Sequence, residues 1–268
     1  MSDFKFDIHE AKKLVTEFIL HAGQEALTNW KNIDVEYHVD NVDVTTETDK
    51  RIENEFSNFV EKNFPGHGFS GEEFNDLKRS AEYMWYIDPI DGTKFYAKQV
   101  PLWSISISLV RKGVPVLGVI YFPTSGQIYS AIDGEGAYLN DDLISITQEA
   151  DLGKLQLALD MALSSEEYNA RKETITPVLE RLYTSFYRVR SLGSGTASIT
   201  WLAQGFFGCY FNPFRTEMSM YDIYTGMLIA KEAGAYIHKI TISPGLYHFI
   251  FGNKEVVEKV VGIVADLK

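Results

Sequence analysis

Only one cysteine occurs in 268 residues. Cys209 sits in the apolar stretch FFGCYF, and a lone cysteine makes neither an internal disulfide nor a cysteine-based zinc site. A reducing, cytoplasmic setting is the expectation. Basic charge is also scarce: 25 Lys and Arg against 37 Asp and Glu leave a formal net charge of −12. Nucleic acid and anionic membrane both need basic surface, so neither is expected as a partner. Bound cations can still neutralise acidic residues locally, so a phosphorylated substrate stays open. Long apolar runs are missing, and none approaches the roughly 18 residues of a membrane span. The start, MSDFKFDIHEAKK, lacks the basic segment and apolar segment of a secretory signal. Repeats, low-complexity stretches and long linkers are absent too. What remains, 45% hydrophobic and 23% charged, is a soluble globular composition long enough to bury a sizeable core.

Within that composition the periodicities alternate between helix and strand. Ile8, Ala11, Val15, Phe18 and Ala22 step by three and four along one helical face. Residues 34–44 read as acidic and irregular, and a second helix fits 46–64 before Pro65-Gly66 stops it. Residues 83–87 read as a buried strand. Residues 104–110 alternate serine with isoleucine or leucine, as a strand with one face in the core would. Turns at Lys112-Gly113 and at residues 133–136 make 83–146 a meander of strands. Helices are expected over 165–183, 196–204, 221–233 and after Asn253, with strands at 235–240 and 246–251. The expectation is an α/β chain of two lobes, 1–148 and 149–268, packed as one unit.

One stretch carries chemistry. In YIDPIDGTKF, Asp88 and Asp91 stand at the carboxyl end of an apolar strand, where α/β proteins place ligands. Gly92 permits a tight turn and close approach to a ligand. Thr93 stands where a short helix begins, so its free N–H groups favour an anion. Two carboxylates so close repel unless one is protonated or a cation lies between them. Magnesium fits, because it takes oxygen ligands and shares its shell with water and phosphate. The plain alternative is a polar turn leaving a sheet, since Asp, Pro and Gly are common turn residues. A calcium helix-loop-helix is excluded by Pro89 and Ile90, which break its alternating ligands. Phosphatases with an aspartyl nucleophile carry aspartates two apart in D-x-D-G-T; here they are three apart.

DPIDGT resembles the signature of the inositol monophosphatase family of magnesium-dependent, lithium-sensitive phosphatases. Its superfamily includes fructose-1,6-bisphosphatases, histidinol phosphatases and nucleotide 3′-phosphatases. Further ordered matches are VTTETD at 44–49, GEE at 71–73, GEGAYLN at 134–140, RSLGSGTAS at 190–198 and YDIYTGMLIAKEAGA at 221–235. The resemblance implies a layered αβαβα sandwich. It implies Glu72, Asp88, Asp91, Asp222 and the Ile90 carbonyl as ligands to two or three magnesium ions, which manganese or calcium can replace. It implies Asp49 and Thr93 as the pair that activates water, with Glu72 beside them. Gly92 and Thr93 amides would hold phosphate, with Ser194 nearby, and a cytoplasmic homodimer is implied as well. The pattern departs in places. Tyr221 replaces the usual tryptophan, Lys94-Phe95-Tyr96 leaves the inositol pattern, and Tyr-Asp at 221–222 resembles histidinol phosphatases. The family's inositol-contacting glutamate falls near Arg215, with Glu217 close by. Arg215 suits a second phosphate or a carboxylate. The expected substrate is inositol monophosphate. Histidinol phosphate, fructose 1,6-bisphosphate and adenosine 3′,5′-bisphosphate are the alternatives. A silent relative that binds metal or a partner is the reading from another class. His38, His67 and His238 show no metal spacing.

Overall fold

The first helix begins where Asp7 accepts the amide protons of His9 (2.9 Å) and Glu10 (3.3 Å). From there α1 (Ile8–Asn29) buries the stripe Ala11, Val15, Ile19, Ala22 and Ala26. The structure, a computed structural model, describes residues 6–31, 35–38, 43–72, 76–77, 81–216 and 220–267. The segment expected to be irregular instead contains two paired strands, β1 (Val35–His38) and β2 (Asp43–Thr46), antiparallel with Val35 opposite Thr46. Thr46 then caps α2 (Glu47–Asn63), whose Asp49 side chain accepts the Thr46 amide in a reciprocal capping box.

The central sheet follows. β3 (Gly68–Gly71) runs parallel to β5 (Tyr83–Asp91), and β4 (Asp76–Leu77) closes that edge. A five-residue helix, α3 (Thr93–Ala97), leads to β6 (Ser104–Arg111), β7 (Val114–Phe122), β8 (Gln127–Ile132), β9 (Ala137–Leu139) and β10 (Asp142–Ile144). These strands form an eight-stranded sheet in the order β10-β9-β8-β7-β6-β5-β3-β4. A second, five-stranded sheet has the order β12-β11-β13-β15-β14. It combines β11 (Gln156–Leu159), β12 (Arg188–Arg190), β13 (Cys209–Thr216), β14 (Tyr236–Ser243) and β15 (Leu246–Gly252). Between these strands run α4 (Ser165–Ser185), α5 (Gly195–Ala203) and α6 (Met220–Glu232), and α7 (Lys254–Ile263) ends the chain.

Three apolar layers explain the stacking. Ile105, Ile107 and Leu109 of β6 face α1 and α2, together with Leu117, Val119 and Tyr121 of β7. The opposite face of that sheet, with Ile120, Phe122 and Tyr129, meets Ala197, Ile199 and Leu202 of α5 and Ile223, Leu228 and Ile229 of α6. Tyr210, Phe249 and Phe251 of the second sheet close the same layer. The far side of the second sheet, through Leu157, Phe211 and Ile250, packs on Ile175, Val178 and Leu182 of α4 and Val256, Val257 and Val260 of α7. The order is therefore α1/α2, sheet, α5/α6, sheet, α4/α7, the expected layered sandwich. Each fully buried Ile or Phe contributes roughly 1.5–3 kcal/mol.

β6 differs from its one-faced reading. Ser104, Ser106 and Ser108 are as buried as the isoleucines between them, because α5 and α6 cover the serine face. β11 and β13 escape the periodicity reading because both faces of an interior strand are apolar. Among the described residues, no helix is long and apolar enough to cross a membrane.

Candidate active site

The two aspartates lie inside β5, at its last turn of pleat, and not in a turn beyond it. Asp88 pairs with Ser106 and Asp91 with Ser104 of β6, and the register shifts between them. Strict alternation would send side chains three residues apart to opposite faces, and the bulge breaks that alternation between the two aspartates. Asp88 is only 3% exposed. Gly92 follows with φ +85°, and a Cβ there would lie 2.9 Å from the Leu102 carbonyl oxygen. Only glycine turns the chain from β5 into α3 at this point. Thr93 opens α3, and its hydroxyl donates to the Ile90 carbonyl at 2.9 Å.

Neighbouring elements converge on that end of β5. β3 is parallel to β5 with Gly71 opposite Ile87, so Glu72 emerges beside Asp88. The N-terminal turn of α2 carries Asp49, which is 1% exposed and also accepts the Thr46 hydroxyl. One turn on, Glu53 is 1% exposed, with its carboxylate pressed on Gly71. Tyr96 of α3 links these parts: its hydroxyl donates to the Ala26 carbonyl at 2.8 Å and lies 3.3 Å from the Thr48 hydroxyl. Burial raises the Tyr96 phenol above its ordinary range, and the charge of Asp49 adds to that.

The second half of the chain supplies the opposite wall. Ser194 caps α5, accepting the Ala197 amide at 3.2 Å, and its hydroxyl donates to Asp91 Oδ2 at 2.5 Å. Thr196 donates to the same Asp91 oxygen. Ser194 thus sits at the candidate site, with its hydroxyl on a carboxylate. Next to α5, Asp160 at the end of β11 accepts from the Tyr210 hydroxyl and from Asn212, each at 3.1 Å. Burial pushes the Tyr210 phenol well up, the Asp160 charge adds to it, and Arg215 opposes it. Arg215 lies just past a bulge in β13, half-buried, opposite Tyr247. That bulge is held by His248, whose Nδ1 accepts the Phe214 amide at 3.0 Å.

Asp222 lies in the first turn of α6; its side chain is outside the described residues, as are Glu73 and Glu217 altogether. The Tyr224 ring, two residues further, lies 5.4 Å from that of Tyr86 in β5. The first half of α6 therefore packs against β5 at Tyr86. Thr196, Glu53 and Asp160 were not anticipated from sequence. Thr196 had a weak signal in the hydroxyl-rich run SGTAS; Glu53 and Asp160 had none.

The donor set fits a hard divalent cation. Carboxylates and a backbone carbonyl are the oxygen donors that magnesium selects. Burying a carboxylate as deeply as Asp88 costs several kcal/mol unless a cation or donors compensate. A separate group, His21, Glu25 and Glu55, brings its ligand atoms within 4.8 Å of one another on α1 and α2. Glu25 there is already paired with Arg51.

Two stacked sheets with helices outside and between define the layered sandwich of the sugar-phosphatase type. An inositol monophosphatase from Anabaena (Nostoc) sp. PCC 7120 superposes with a TM-score of 0.81 at 25% identity, over 98% of both chains. The chain belongs to the inositol monophosphatase family, a family of phosphatases, whose model matches residues 7–266. It is 31% identical over 204 residues to tomato (Solanum lycopersicum) inositol monophosphatase 1, covering 75% of this chain and 73% of that one. It is 30% identical over 215 residues to the fructose-1,6-bisphosphatase/inositol-1-monophosphatase of Aquifex aeolicus strain VF5, covering 79% and 78%.

Proposed function

We propose that this protein is a magnesium-dependent phosphomonoesterase that hydrolyses a small phosphorylated metabolite, with inositol monophosphate as the substrate. What supports this reading is the placement of Asp88, Ile90 and Asp91 across the bulge at the end of β5, with β3 running parallel to β5 up to the residue before Glu72 and α2 packed on the same strand. In this reading those four groups and Asp222 hold the cations. Magnesium supplies Lewis acidity at the phosphoryl oxygens and lowers the pKa of an attacking water. Asp49 and Thr93 orient that water, and Asp49 takes its proton. The Gly92 and Thr93 amides hold the transferred phosphoryl group. Water would attack phosphorus in line as the ester P–O bond breaks, the departing alkoxide would take a proton from solvent in place of the one given to Asp49, and no covalent bond would form between protein and phosphate.

The far wall decides the ester. Arg215 and Asp160 place opposite charges beside Tyr210, a wall suited to hydroxyls, a second phosphate or an amine. Arg215 favours a bisphosphate as the second reading, in line with the name of the Aquifex relative. The protein is a cytoplasmic homodimer in this proposal, inhibited by lithium. The test is phosphate release from inositol 1-phosphate, histidinol phosphate, fructose 1,6-bisphosphate and adenosine 3′,5′-bisphosphate. Activity is expected to vanish with chelator and return with magnesium. Turnover that is indifferent to chelator sinks the mechanism.

A further inference from the structure

Asp91 is held from across the molecule. Its Oδ2 accepts from two hydroxyls, Ser194 at 2.5 Å and Thr196, both from the start of α5 and more than 100 residues away in sequence. Ser194 is 2% exposed and Thr196 fully buried. A third hydroxyl stands behind them: Ser104, the cross-strand partner of Asp91 and fully buried, lies 2.8 Å from Thr196 Oγ1. Counting protons gives each bond a direction. A hydroxyl has one proton to give, and an ionised carboxylate only accepts. The Ser194 oxygen takes the Ala197 amide proton, and its own proton goes to the accept-only Asp91 oxygen at 2.5 Å and not to Thr196 Oγ1 at 3.2 Å. The Thr196 proton also goes to Asp91, which leaves Ser104 to donate to Thr196. The relay Ser104 to Thr196 to Asp91, with Ser194 alongside, matches a charged carboxylate in one fixed rotamer.

We propose that Thr196 and Ser194 are positioning residues that hold Oδ2 of Asp91 and so fix how this carboxylate meets a divalent cation, before any cation arrives. This rests on the reading of Asp91 as a magnesium ligand. The mechanism is that of partners which hydrogen-bond a ligating side chain from behind: they set its orientation, and removing one typically costs 10–100-fold in metal affinity. It also gives the interface between the two halves of the chain a task. The helix that carries both hydroxyls belongs to the second half, and the ligand belongs to the first. A shift of α5 against β5 would turn Asp91 away.

The test reads metal binding by the whole protein and needs no substrate. Thermal unfolding is followed across a magnesium chloride series, since a cation that binds only the folded chain raises the unfolding temperature in a concentration-dependent way. The wild type is expected to respond. Thr196→Val keeps the shape and removes the hydroxyl, and its half-maximal magnesium concentration is expected to rise at least about tenfold. Thr196→Ser restores the wild-type value. Ser194→Gly removes the other hydroxyl at little capping cost and is expected to shift in the same sense, which covers the case of a Thr196→Val chain that does not fold. Suppose Thr196→Val and Ser194→Gly unfold at lower temperature yet respond to magnesium at the wild-type concentration. The hydroxyls are then only structural, and the proposal is wrong. If the wild type itself shows no response to magnesium, the ligand reading of Asp91 fails, and the clamp fails with it.

Discussion

Gly71→Ala should damage both stability and the site, for a reason visible in one contact. The glycine backbone here is outside the left-handed region, so alanine is conformationally allowed and only space is at issue. A Cβ built on Gly71 lies 2.1 Å from Glu53 Cδ and 2.3 and 2.4 Å from its two oxygens. Ordinary carbon contacts need about 3.5–4.0 Å, so the overlap exceeds ~1 Å. Glu53 cannot swing into solvent, because it is 1% exposed in the packed face of α2. Overpacking of this kind costs about 1–3 kcal/mol, and pushing a buried carboxylate off its donors adds about 1–3 more. Gly71 directly precedes Glu72, so a shift of β3 that makes room also moves that residue. A displacement near 1 Å at a reacting centre is worth about 100-fold in rate. The assay is a double-mutant cycle in urea with Gly71→Ala, Glu53→Ala and the pair, with phosphatase activity measured alongside. Removing the carboxylate makes room for the methyl group, so the pair is expected to be more stable than the sum of its parts by at least about 1 kcal/mol. Additivity within ~0.3 kcal/mol would refute the contact as the cause.

Two further outcomes are expected. Asp91→Asn keeps the shape of the clamp but removes a charge, and turnover of the best substrate should fall at least about 100-fold. Near-normal turnover would show that Asp91 holds no metal. His248 is buried and its pKa lies below the ordinary 6.5, chiefly through burial, while its contacts to the Leu267 and Tyr247 backbone oppose the shift. The unfolded chain therefore binds the extra proton first. The His248 contribution is complete above pH 6.5 and is lost as pH falls below it, where a proton on Nδ1 would also break the bond from the Phe214 amide. His248→Gln should flatten the fall in urea midpoint between pH 7.5 and pH 5.5, and an unchanged slope would count against it.

Several elements were legible because their signals are local. α1 follows from its apolar steps, α2 from its pattern and the Pro65-Gly66 stop, α4 from its helical pattern, and the Lys112-Gly113 hairpin from its turn. The acidic end of β5 was legible as composition, since two carboxylates with proline and glycine are conspicuous in an apolar run. Other parts had no local signal. β1 and β2 are four residues each, too short for a sustained alternation, and β11 and β13 have no alternation because both faces are buried. The serine face of β6 looked like solvent, since nothing nearby in sequence reveals that α5 and α6 lie on it.

The chain order of residues by itself determined the alternation of helix and strand, the acidic stretch and the ordered motifs of the family, and it was the family resemblance that implied the layered fold; motif spacing, periodicity and turn chemistry act over a few residues. It did not determine which groups touch. Ser194 meets Asp91 across 103 positions, Thr196 across 105, and Glu53 meets Gly71 through the packing of α2 on β3. Only the tertiary structure decided that the hydroxyls of α5 grip one oxygen of Asp91, and that a buried glutamate requires a glycine before Glu72. The reason is physical: hydrogen bonds and contacts fall off within a few ångströms, and only the packing of α2 and α5 against the first sheet brings those atoms that close.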